Sequence, residues 1–136
     1  MGPPSAWDDR IALVREQGML ALTNNVLERW FTPGFRQSDS EVVRHLGQML
    51  VATDPEGYVG CCFAIRDMDL RSAAATISVP TLVIGGDADP ATPMIHSEAL
   101  AAAIPGARLR LLAAAHLSNT EQPEAYNQAV LHFLAM

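Results

Sequence analysis

The chain has 136 residues, 49% of them hydrophobic and 18% charged, with a formal net charge of −6. That length and mix exclude a disordered chain and leave room for one packed domain and little more. An acidic balance without a Lys/Arg stripe excludes phosphate-backbone binding, and no apolar run approaches the roughly 20 residues that cross a bilayer, so neither a nucleic acid nor a membrane is expected as a partner.

Cys61 and Cys62 are adjacent and cannot join distant parts of the chain, which argues against a secreted disulfide scaffold. The opening "MGPPSAWDD" has neither the basic region nor the apolar run of a signal peptide, so a cytoplasmic location is expected.

Up to Pro80 the apolar spacing is helical. Trp7, Ile11 and Val14 share one face; Met19, Leu22, Val26 and Trp30 share another, with Gly18 between them. "TPG" at 32–34 ends the second helix, and Ser38 with Glu41 predicts a capping box ahead of Val42, Leu46, Met49 and Leu50. Asp54 and Pro55 form an N-cap and first-turn pair for a helix bearing Tyr58, Cys61, Cys62 and Ile65, and Asp69 is expected to cap a short helix through Ala75.

After Pro80 the pattern changes. "TLVIGG" (81–86) reads as a buried parallel strand, Thr92 and Pro93 start a helix through Ile104, "ARLRLLAAA" (107–115) reads as a second strand, and Pro123 opens a last helix. Strand–helix–strand–helix is the repeating unit of an α/β sheet, so the expected division is a helical region over 1–79 and an α/β unit over 80–136.

Open α/β sheets place ligands just beyond the carboxyl ends of their strands. The first strand ends in "GGDADPATP", with Asp87 and Asp89, and the second ends in His116. An Asp accepting the imidazole Nδ1–H fixes the tautomer and frees Nε2 to act as a base. Singly, "GGDAD" also reads as a turn and His116 as a loop histidine. Their order at the ends of consecutive strands favours a catalytic pair. His45, His96 and His132 stand on separate predicted helices without metal-ligand spacing, so no metal or other cofactor is expected.

The segments "WDDRIALVREQGM", "VLERWFTPGF", "DPEGYVGCC", "VPTLVIGGDADPATP" and "AAAHLSNTEQPEAY" resemble the C-terminal half of the 3-oxoadipate enol-lactonases, α/β-hydrolases of bacterial aromatic breakdown. The resemblance implies an incomplete α/β-hydrolase fold: a helical cap followed by the last strand–helix–strand–helix unit of the sheet. It makes Asp89 the triad acid and His116 the triad base, and implies a small lactone as substrate. Arg29 and Trp30 are candidates to contact the substrate's free carboxylate, the alternative being that Trp30 packs in the cap core and Arg29 faces solvent.

In that superfamily the order is serine, acid, histidine, with the serine in G-x-S-x-G. None of the serines here, at 5, 38, 40, 72, 78, 97 and 118, stands in that pattern. "GCCFA" at 60–64 imitates a cysteine elbow, but Cys62 falls inside a helical run and reads better as a buried structural residue. Two parallel strands leave unpaired edges, so a partner is expected to complete the sheet: the missing N-terminal half, or a second copy in a homo-oligomer. Two other readings stay open. One is a non-catalytic module that binds through the open edge; the other is a different α/β-hydrolase activity, on esters or carbon–carbon bonds.

Overall fold

Helix starts and stops follow local chemistry in the computed structural model, which describes residues 2–136. Helix α1 (Pro4–Gln17) begins with proline, whose missing N–H costs nothing at a first turn. It ends at Gly18, where φ is 74° and the N–H donates to the Val14 carbonyl. Helix α2 (Leu20–Trp30) and the short α3 (Pro33–Ser38) follow, then α4 (Ser40–Val51) and α5 (Pro55–Asp67). The Asp54 carboxylate caps α5 by accepting from the Gly57 N–H at 2.7 Å.

Two expected caps differ. The cap of α4 is Asp39, accepting from the Val42 N–H at 3.4 Å, and not Ser38. Pro33, expected only to help end the preceding helix, nucleates α3, and Ser38 becomes its last residue, its hydroxyl bonded back to the Phe35 carbonyl. The first residue free to leave helical geometry is therefore Asp39. In α6 (Arg71–Ala74) the N-cap position belongs to Leu70, with no side-chain cap bond.

The chain forms two compact units. The first comprises residues through Glu28 with Pro33–Asp69; the second comprises Arg29–Thr32 with Leu70–Met136. In the first, α1 packs on α5, with Ile11 and Val14 buried on one helix and Val59 and Cys62 on the other. Arg66 adds ion pairs to Asp8 and Asp67, each at 2.7 Å.

In the second unit, β1 (Leu82–Gly86) and β2 (Arg108–Leu112) pair in parallel, from Leu82 opposite Arg108 to Gly86 opposite Leu112. Parallel neighbours need a crossover, and α7 (Met94–Ala103) supplies it, packed on both strands. Gly85 admits this helix: a Cβ there would press against the Ser97 side chain. Helix α9 (Pro123–Leu134) also packs on both strands, after a single turn of helix, α8 (Ser118–Glu121), that the sequence pattern does not announce. Strand β2 stops at Leu112, three residues short of the expected end. Beyond it the chain turns so that the Ala114 carbonyl accepts from the Ala88 N–H at 3.1 Å, tying together the loops that leave the two strands.

Candidate active site

Those two loops carry the ionisable residues. Strand β1 closes on Gly86, whose place leaves no room for a side chain: a Cβ would collide with the carbonyls of Ala114 and Ala115. Glycine thus lets the loop after β1 lie directly against the loop after β2. The Asp87 N–H then donates to the Leu112 carbonyl at 2.9 Å, extending the contact past the last ladder pair. The two carboxylates of "DAD" part here, with Asp87 exposed and Asp89 only 8% exposed.

Asp89 is held by its own loop. Its Oδ1 accepts from the N–H groups of Ala91 (2.7 Å) and Thr92 (2.9 Å), and its Oδ2 accepts from the Thr92 hydroxyl at 2.6 Å. His116 Nδ1 lies 2.9 Å from the same Oδ2 and 3.3 Å from the Thr92 hydroxyl. Burial acts to raise the Asp89 carboxyl, but the bonds from Thr92, His116 and the Thr92 and Ala91 amides outweigh it and hold the group below the ordinary carboxylate range. An ionised Asp89 accepts only, so the proton between it and His116 sits on Nδ1 and the free ring atom is Nε2. The His116 side chain is 36% exposed against 6% for that of Asp89, so the pair combines a sunken carboxylate with an accessible imidazole. Such a pair can take a proton at Nε2 and stabilise the resulting imidazolium.

The turn bearing His116 is anchored on both sides. The Leu117 N–H donates to the Trp30 carbonyl at 3.0 Å. The Ala115 N–H donates to the carboxylate of Glu121 at 2.9 Å. Trp30 and Arg29 are half-buried, and they belong to the segment Arg29–Thr32 that packs with this unit. The structure thus brings Asp89 and His116 into contact and sets the Trp30 backbone beside the histidine turn. Sequence reasoning passed over Thr92 and Glu121. A threonine three residues after the acid was a usable signal for the first; nothing local pointed to the second.

Cys62 lies within α5, not at a strand-to-helix turn, and is 2% exposed. Burial raises its thiol above the ordinary range despite Arg10 and the Tyr58 hydrogen bond, the opposite of what a thiolate nucleophile needs. His45, His96 and His132 are exposed. Among the described residues no helix is long and apolar enough to cross a membrane.

Residues 64–136 match the hydrolase family described as TAP-like protein. The 3-oxoadipate enol-lactonase 2 of Acinetobacter baylyi is 42% identical over 130 residues, covering 96% of this chain and 49% of that protein. The crystal structure of an enol-lactonase from Burkholderia xenovorans superposes with a TM-score of 0.97 at 41% identity, covering 99% of this chain and 52% of that one. A hydrolase from Pseudomonas aeruginosa gives 0.93 at 43% identity, over 100% and 52% of the two chains. The chain spans about half the length of the curated relatives it matches. It belongs to the TAP-like family of α/β-hydrolases, carries part of that fold, and matches the C-terminal half of its homologues, the 3-oxoadipate enol-lactonases.

Proposed function

We propose that this chain carries the acid and base of a Ser–His–Asp relay that hydrolyses the enol-lactone of 3-oxoadipate. The serine is supplied by a segment equivalent to the half of the relatives that this chain does not span. The reading is carried by the 2.9 Å approach of His116 Nδ1 to the buried Asp89 carboxylate at the carboxyl ends of adjacent parallel strands. The substrate class follows from the enol-lactonase relatives, since an acid–histidine pair alone serves many hydrolases.

In this scheme His116 Nε2 removes the serine hydroxyl proton as the oxygen attacks the lactone carbonyl. Backbone N–H groups brought with the serine hold the oxyanion. Collapse breaks the ring C–O bond, and the imidazolium returns its proton to the enol oxygen. Water, deprotonated by the same Nε2, then cleaves the acyl-serine, the proton passes on to the leaving serine oxygen, and the released enol tautomerises to the ketone. The sum is one lactone and one water to 3-oxoadipate, with Asp89 ionised throughout. Arg29 and Trp30 are assigned to the substrate's carboxylate and apolar body, a role suited to a guanidinium beside an aromatic ring. The segment that brings the serine also completes the two-stranded sheet, whose open edges favour strand addition. A cytoplasmic location accords with this reading.

The test is direct. The purified chain should not hydrolyse the enol-lactone or a nitrophenyl ester, and a fluorophosphonate probe should leave it unlabelled. Turnover by the chain alone, abolished by Cys62→Ala, would overturn the proposal and make the cysteine the nucleophile.

A further inference from the structure

Glu121 is 8% exposed, and its carboxylate accepts hydrogen bonds from two separate segments of the chain. Its Oε2 accepts from the N–H of Ala115, the residue before His116, at 2.9 Å. Both oxygens receive the Thr32 N–H at 3.3 Å, and Oε1 also accepts from the Thr32 hydroxyl. The peptide immediately after His116, the Leu117 N–H, is held by the Trp30 carbonyl at 3.0 Å. The residues on either side of His116 thus both have their N–H groups anchored. Glu121 also joins the two anchors, because it grips Thr32, two residues beyond Trp30. The arrangement suits an acceptor-only carboxylate; an amide would turn its own donor toward Thr32. A buried carboxylate is expensive wherever packing alone would serve. Here it is bonded to the backbone that leads into His116.

We propose that Glu121 is a positioning residue for His116, holding Nδ1 in register with Asp89 through the N–H of Ala115. This inference rests on the reading of Asp89 and His116 as the acid–base pair, and its test needs no turnover. The chain labelled with 15N-histidine is compared by NMR with Glu121→Ala, Glu121→Gln and Asp89→Asn, each checked by circular dichroism and thermal unfolding. Val83→Ala, a core change in β1, controls for general loss of stability.

The parent chain should show a strongly deshielded Nδ1 proton that Asp89→Asn removes. In Glu121→Gln that proton should exchange with solvent at least about tenfold faster, the scale of one charge-assisted hydrogen bond lost, and in Glu121→Ala faster still or beyond detection. Val83→Ala should leave it in place. If Glu121→Ala does not fold, Glu121→Gln decides alone. A folded Glu121→Gln with the parent's chemical shift and exchange rate overturns the positioning role. So does equal loss of the signal in Val83→Ala. A parent chain without the deshielded proton, or one unaffected by Asp89→Asn, overturns the acid–base pair itself and the inference with it.

Discussion

Asp89 divides its carboxylate between its own loop and His116. Oδ1 is taken by the Ala91 and Thr92 amides, while Oδ2 is shared by the Thr92 hydroxyl and His116 Nδ1. The loop therefore fixes the acid through bonds that do not involve the histidine, and Oδ2 is also aimed across to β2's exit loop. That asymmetry makes the pair sensitive to changes that touch neither residue.

Acid should weaken the fold through Asp89. Its folded pKa lies below the ordinary value, so the stability it contributes is complete above the unfolded value of roughly 3.9 and is lost as pH falls through the folded pKa. Asp89→Asn should therefore be less stable than the parent at neutral pH, with the gap in urea midpoint narrowing below about pH 4. A gap that stays constant down to the acid limb would show that the carboxylate's ionisation is not what stabilises the loop.

Thr92→Val keeps the shape of the side chain but removes the 2.6 Å donor to Oδ2. The loss should be roughly 1.5–3 kcal/mol, the range for hydrogen bonds to charged groups, and the Asp89 carboxyl should move up toward its ordinary range. Urea unfolding measures the first and carboxyl 13C titration the second. An unshifted carboxyl would remove Thr92 from the account of the site.

At Gly86 the added methyl of alanine meets backbone carbonyls, which cannot rotate away as a side chain can. Gly86→Ala should cost at least the upper part of the roughly 1–3 kcal/mol typical of overpacking, and should separate the two exit loops. Denaturation should show the first effect and loss of the deshielded His116 proton the second. Gly34, with open space around it, serves as the control position.

The α/β unit was readable because β1 is a short apolar run stopped by Gly85–Gly86 and β2 lies in the leucine-rich run before His116, although the alanines 113–115 hid its true end at Leu112. Parallel pairing of consecutive strands then put Asp89 and His116 at the same end of the sheet. Glu121 was invisible for a physical reason. Its partner Thr32 lies 89 residues away, and a carboxylate in a one-turn helix before a proline looks like any exposed first-turn acid. The α4 cap was misplaced because Ser38 and Asp39 are both good caps. The choice between them was made by Pro33, which starts a helix in a segment read as a terminator. The acid–histidine geometry is local to two strand ends, whereas its support is long-range, and only the first leaves a pattern in the chain.

The most direct measurement joins the N-terminal half of the Burkholderia xenovorans enol-lactonase, whose C-terminal counterpart superposes on this chain, to residues 2–136 as one polypeptide. The chimera is expected to hydrolyse the enol-lactone. Asp89→Asn should lower kcat by about 10⁴-fold and His116→Ala by on the order of 10⁶-fold, the scale seen when triad members are removed. A folded chimera that hydrolyses the lactone as well with His116→Ala as without it would contradict the assignment of His116 as the base.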